Sequence, residues 1–206
     1  MSETSMVPKI VKKSRSAQAF ENAFFSLLQE NDCNKISISD ILLLSGYSKT
    51  AFYSNYLDKA DFIEKTLLAE VDVFVRCIYD SFHNKDAVFD GLIYLPALNL
   101  YNHIIHHKPM YHALFAERIT NWSVYRFTSE CAKRFENTVR VKISQYPDFD
   151  YTLFNYVETA NTFQYIAYWE ANNFIQTPEY MAKQVGMAVT IKNSSFNMLA
   201  TAYTTE

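Results

Sequence analysis

Ile36-Ser37-Ile38-Ser39-Asp40-Ile41, then Ser45-Gly46-Tyr47-Ser48-Lys49, then Phe52-Tyr53-Ser54-Asn55-Tyr56-Leu57-Asp58-Lys59 follow one another in this chain, and their order decides the fold. Ser37 offers a hydroxyl to the free N–H groups of a starting helix, and Asp40 three residues later makes a near capping box. Ile38, Ile41 and Leu42 carry the inward face. Gly46 follows at the point where a residue in the left-handed conformation closes a helix. Ser48 then caps a second short helix holding Thr50, Ala51, Phe52 and Tyr53. Two short helices joined by a tight glycine-containing turn form a helix-turn-helix.

The pattern extends outward from this unit. Before it, Ala17, Phe20, Phe24, Leu27 and Leu28 recur at spacings of three and four, which predicts a helix over residues 14 to 29. After it, Phe62, Ile63, Leu67, Val71, Phe74 and Ile78 mark the inner side of a long helix from 58 to about 82. A polar break, His83 to Asp86, precedes renewed helical periodicity up to His107, in which Pro96 kinks or divides the helix. Pro109 opens a short helix, and a longer one spans about 120 to 144. Segments 152 to 172 and 178 to 202 complete the chain, the last with Thr177 as N-cap and Pro178 at its first position. The reading is all-α, with a three-helix unit in residues 1–60 and a helical unit in residues 61–206.

Composition narrows the function. With 49% hydrophobic and 20% charged residues, the 206-residue chain can bury a core of one large or two small domains. Only three glycines occur, Gly46, Gly91 and Gly186, too far apart for a glycine-rich phosphate loop. Cys33, Cys77 and Cys131 are odd in number and widely spaced, so they read as reduced thiols. Neither a signal-like apolar start nor a membrane-length apolar run is found, and a cytoplasmic protein without a membrane partner is expected. A net charge of −3 argues against nonspecific coating of nucleic acid. Between Lys9 and Ala60, however, seven basic residues face five acidic ones, so the acidity lies elsewhere.

The three quoted stretches resemble the signature of the tetracycline-repressor (TetR) family, which pairs a T-x-x-D-I-A helix with A-G-V-S and an aromatic-Tyr-x-x-Phe-x-x-Lys ending. The match covers about a quarter of the chain. It departs from the signature at Leu42 and Ser45, where alanine is usual, at Tyr47, where valine is usual, and at Ala51, where a hydroxyl often meets phosphate. The resemblance implies a DNA-binding regulator of transcription. Its residues 1–60 would bind DNA, and residues 61–206 would bind an effector and dimerise. A repressor released from a palindromic operator by a small molecule is the expected function, and neither catalytic residues nor a cofactor are expected. The segment Trp169-Glu170 followed by Thr177-Pro178-Glu179 looks like the C-terminal dimerisation region of some members.

Chemistry assigns roles within the match. Lys49 and Thr50, at the start of the recognition helix, are the base readers, Lys49 through guanine acceptors and Thr50 through its hydroxyl and methyl. Ser54 is a third. Tyr53, Asn55 and Lys59 match family positions that grip phosphate, while Ser37, Ser39 and Ser48 stand at helix N-termini whose N–H groups can meet one. Phe52 and Tyr56 are apolar pegs against the first and fourth helices. Lys12, Lys13 and Arg15 form either an arm along the DNA or a solvated tail.

Two other groups stand out. His103, His106, His107 and His112 cluster near one helix end, with His103 and His107 at the i, i+4 spacing that can share a metal. Carboxylates and cysteines are few in the neighbouring sequence, so a polar corner or a pocket wall is expected in place of a metal site. Aromatics crowd the last two thirds of the chain. Most serve the core, and Tyr101, His107, Trp122, Tyr125 and Tyr168 are the candidates for the effector pocket that the resemblance implies. Two alternatives remain: a helical interaction protein with a vestigial helix-turn-helix, and a small helical enzyme built on the histidines with Glu117 or Glu130.

Overall fold

The computed structural model describes residues 13–83, 88–89, 92–93, 95–138 and 148–188. Its helices are α1 (Arg15–Leu27), α2 (Ile38–Ser45), α3 (Lys49–Tyr53), α4 (Lys59–His83), α5 (Leu95–His106), α6 (Lys108–Phe115), α7 (Val124–Thr138), α8 (Tyr151–Ala171) and α9, described over residues 178–188. A single 3-10 turn, Cys33–Lys35, lies between α1 and α2. Among the described residues the fold is all-α but for one antiparallel pairing, β1 (Val88–Phe89) with β2 (Leu92–Ile93), in register Val88 to Ile93 and Phe89 to Leu92. This pairing departs from the continuous helical periodicity read there. Asp90-Gly91 between the strands is among the dipeptides that most favour a two-residue hairpin turn.

Local chemistry sets the helix ends. Ser14 Oγ accepts from the Ala17 amide at 3.1 Å and starts α1. Thr177 caps α9 by accepting from the Tyr180 amide at 3.2 Å. Pro96 occupies the first turn of α5, where a proline costs no hydrogen bond, so it opens that helix and does not kink one. Lys108 and Pro109 open α6 in the same way. The expected end of α7 near 144 and of α9 near 202 lie outside the described residues, as do Lys12 and the interval 84–87.

One hydrophobic cluster runs from Ala17 in α1 to Ala182 in α9. Helix α1 packs on α2 and α3, forming a three-helix headpiece, and α4 leaves it to serve both halves. Along α4 lie α5 on one side and α7 on another, and α8 covers α7. Phe20 meets Phe52 edge-on at 5.3 Å, and Phe62 of α4 meets Tyr56 at 4.9 Å and Phe24 at 5.3 Å. Each such buried ring contributes about 1.5–3 kcal/mol from area alone, with edge-to-face pairing adding about 0.5–1.5 kcal/mol. Phe52 and Tyr56 are thus the pegs expected of them, both buried. Across the other half, Arg134 of α7 pairs with Asp72 of α4, and Arg126 with Glu64 at 2.5 Å.

Candidate nucleic-acid interface

The helix-turn-helix forms as its sequence dictates. Ser37 Oγ accepts from the Asp40 amide at 3.2 Å while Asp40 Oδ2 accepts from the Ser37 amide at 2.8 Å, completing the capping box. The Ser37 hydroxyl also donates to that carboxylate at 2.7 Å, and these bonds hold the Asp40 carboxyl below its usual range. Gly46 closes α2 with φ of 73° and its amide 3.0 Å from Leu42 O. Ser48 Oγ accepts from the Ala51 amide at 3.2 Å and starts α3.

Around α3 the sequence-assigned residues separate into two groups. Ser39, Ser48, Lys49, Thr50, Tyr53 and Ser54 are exposed on the headpiece surface. Lys49 Nζ lies over the Tyr53 ring, 5.9 Å from its centre, so the cation is carried on the same face as the tyrosine. Ser54 bends back, its hydroxyl donating to Ala51 O at 2.9 Å. Asn55 and Lys59 are instead engaged within the fold. The Asn55 amide donates to Ala51 O at 2.7 Å, and its oxygen accepts from Ser14 Oγ at 3.1 Å, tying α3 to the start of α1. Lys59 Nζ donates to Cys33 O at 2.5 Å and clamps α4 to the 3-10 turn. Of the basic arm, Lys13 pairs with the buried Glu21 at 2.6 Å, and Arg15 is exposed. Unexpected on this surface are Leu43, 86% exposed, and Leu57, 80% exposed.

A helix-turn-helix with this headpiece, a long shared fourth helix and a helical C-terminal body has a counterpart among solved structures. The crystal structure of a TetR transcriptional regulator from Streptococcus agalactiae 2603V aligns over 85% of this chain and 93% of its own, with TM-score 0.52 and 20% identity. The chain has the TetR fold. Neither a protein-family model nor a curated protein matches the chain. In the TetR fold seen here, no helix among the described residues is long and apolar enough to cross a membrane.

The five residues expected to line an effector pocket lie in unlike surroundings. Tyr101 is buried edge-on against Trp169 at 5.3 Å. Trp122 is buried, its indole N–H donating to Glu64 Oε2 at 3.1 Å under the Arg126 guanidinium, which lies 4.2 Å from a ring centre. Tyr125 and Tyr168 are on the surface, 70% and 60% exposed. A polar cleft of about 490 Å³ lies elsewhere, lined by Asp32, Asn34, Lys35, Glu117, Arg118 and Thr120, between the headpiece and the α6–α7 turn.

The histidines divide as well. His106 Nδ1 lies 2.6 Å from Asn102 O, and His112 Nδ1 lies 2.5 Å from Glu170, joining α6 to α8. His103 Nε2 and His107 Nδ1 both approach Glu70 Oε2, at 3.2 and 2.8 Å. Burial pushes the Glu70 carboxyl up, but the two adjacent imidazoles outweigh it and hold the group down at about 2. Sequence reasoning missed Glu70 because it is remote from the histidines along the chain. A signal existed: Glu70 interrupts the inner stripe of α4 between Leu67 and Phe74, as Glu21 interrupts that of α1. A charge at such a position is buried, and a buried charge needs a partner.

Proposed function

We propose that this chain is a DNA-binding transcription regulator acting as a homodimer on a palindromic operator. In this reading residues 1–60 contact DNA, and residues 61–206 dimerise and take up a small-molecule effector that releases a repressor. The observation that carries it is the capped α2–Gly46–α3 unit with Lys49, Thr50 and Tyr53 exposed together on the recognition helix. Side chains at the start of such a helix reach base edges in the major groove, and neighbouring hydroxyls and N–H groups hold phosphates. One headpiece reads few base pairs, so two related by a two-fold axis supply adequate specificity.

The outer row of α8 supports the dimer. Leu153, Phe154, Val157 and Tyr168 are exposed there, opposite the buried Thr159, Phe163, Ile166 and Trp169. A helix apolar on both sides needs cover on both, and pairing of two such helices provides it.

Fluorescence anisotropy with an operator-like palindrome and with random DNA tests this reading. Binding to the palindrome should be tighter and fall steeply with salt. Lys49→Ala should weaken palindrome binding by about 1–3 kcal/mol and leave random DNA nearly unaffected. Equal loss on both would remove Lys49 as a base reader. The bare leucines Leu43 and Leu57 favour a second reading, a headpiece that docks on another protein. Absence of salt-dependent binding to any DNA, with oligomerisation intact, would select it.

A further inference from the structure

We propose that Glu70, His103 and His107 form a binding site for a first-row divalent metal ion, zinc in particular, that pins α5 to α4. Glu70 comes from the inner face of α4, His103 from α5, and His107 from the joint between α5 and α6. Glu70 Oε2, His103 Nε2 and His107 Nδ1 all lie within 4.8 Å of one another. Two ligands of one tetrahedral zinc, each about 2.0–2.1 Å from the ion, stand about 3.3 Å apart. The 3.2 Å from Oε2 to His103 Nε2 is near that value, and the 2.8 Å to His107 Nδ1 needs to widen by only about half an ångström.

The directions of these atoms point the same way. Glu70 Oε2 is in ion-pair contact with both ring nitrogens, but neither contact has the alignment of a full N–H to oxygen hydrogen bond. All three atoms are buried without a hydrogen-bond partner among the described residues. The Glu70 side chain is 3% exposed and that of His103 9%, while His107, at 30%, opens the cluster toward solvent on one side. Thr66 Oγ1, one turn before Glu70, and the buried Tyr111 hydroxyl also have no hydrogen-bond partner among the described residues. The Tyr111 ring stands edge-on to His103 at 6.2 Å. Three buried atoms held only in ion-pair contact with one another, and two hydroxyls without a hydrogen-bond partner, are explained together by one ion with a bound water, to which these hydroxyls can hydrogen-bond.

Two imidazoles and a carboxylate are a donor set suited to zinc and its neighbours and unsuited to calcium or magnesium, which take oxygen ligands. With neutral imidazoles, one carboxylate leaves a single positive charge in the site. Glu21, the other buried carboxylate of this core, is already neutralised by Lys13 at 2.6 Å, so that charge stays with the ion and its bound water. Helix α1 reaches the same point through the Phe25 ring, which stands 6.2 Å from that of His107.

The test uses full-length protein stripped with a chelator and titrated with Zn²⁺ against a chromophoric competitor, and separately with Co²⁺. One equivalent per chain is expected, with the intense visible absorption of four- or five-coordinate Co²⁺ and a rise in melting temperature with Zn²⁺. His103→Gln and His107→Gln should each weaken binding by about a hundredfold or more, and Glu70→Gln likewise. His106→Gln, an exposed neighbour on α5, should bind as the wild type does. Glu70 is buried and the His103 side chain only 9% exposed, so His107, at 30%, decides the matter if their variants fail to fold by circular dichroism. Retention of full affinity in folded His107→Gln would overturn the site. So would a Co²⁺ spectrum identical to that of the aquo ion, or a melting temperature that responds to pH and not to metal.

Discussion

Lys59 illustrates how a residue chosen for one role is held in another. Its ammonium lies against Cys33 O, so the charge that matches a phosphate-gripping position serves as a clamp between α4 and the 3-10 turn. A charged hydrogen bond in a half-buried setting contributes about 1.5–3 kcal/mol. Lys59→Ala should therefore lower stability by that order, measured by urea unfolding, while changing the salt slope of DNA binding by less than about one unit. A full unit lost from the slope with stability unchanged would return Lys59 to the phosphate contacts. At Gly46 the backbone has φ of 73°, and an added Cβ would meet nothing within 4 Å. The cost of Gly46→Val is then conformational alone, at least about 1–2 kcal/mol. That variant should lose helix-turn-helix order by NMR while the C-terminal helices keep their circular dichroism, and undiminished order would misplace the turn.

Among the elements, α8 carries the sharpest expectation. Tyr165 is half-buried against the core. The outward row is Leu153, Val157 and Tyr168, with Phe154 beside it. Leu153→Glu with Val157→Glu should give a folded monomer in sedimentation, because neither side chain is part of the buried cluster. A double variant that remains dimeric would move the interface elsewhere. Most helices were legible because each announces itself locally, through Ser14, Ser37, Ser48, Thr177 or a first-turn proline, and by apolar residues at spacings of three and four. The β1–β2 pairing was less so. Its apolar residues fit helical spacing equally well, and only Asp90-Gly91 marked a reversal.

For the molecule as a whole, legibility followed the range of the interaction. The caps and turn of the headpiece depend on contacts between neighbours in sequence and were readable, while its pegs, such as Phe52 against Phe20, were readable from apolar spacing and the resemblance. The Glu70 cluster depends on α5 lying along α4, which no local pattern specifies. The expected pocket aromatics were unreadable for a related reason. Tyrosines and tryptophans satisfy a core, a polar contact or an outer surface equally well, and Tyr101, Trp122 and Tyr168 are found in one of each.

The join between the 3-10 turn and the α6–α7 corner has a mechanical consequence. The Cys33 amide donates to Arg118 O at 2.9 Å, Thr120 Oγ1 to Asn34 at 2.6 Å, and the Arg118 guanidinium to Gln29 O at 3.4 Å. Three struts at one corner resist twisting of the headpiece about the axis of α4, since rotation in either sense stretches at least one of them. In a dimer, torsional stiffness there fixes the separation of the two recognition helices, which must match one turn of B-DNA, about 34 Å. Hydrogen exchange reads this stiffness directly. The Cys33 amide should exchange as slowly as amides in the middle of α4, and not with the fast opening of a small N-terminal module. Exchange at the faster rate would mean that the headpiece pivots freely, leaving the spacing to be set by the DNA.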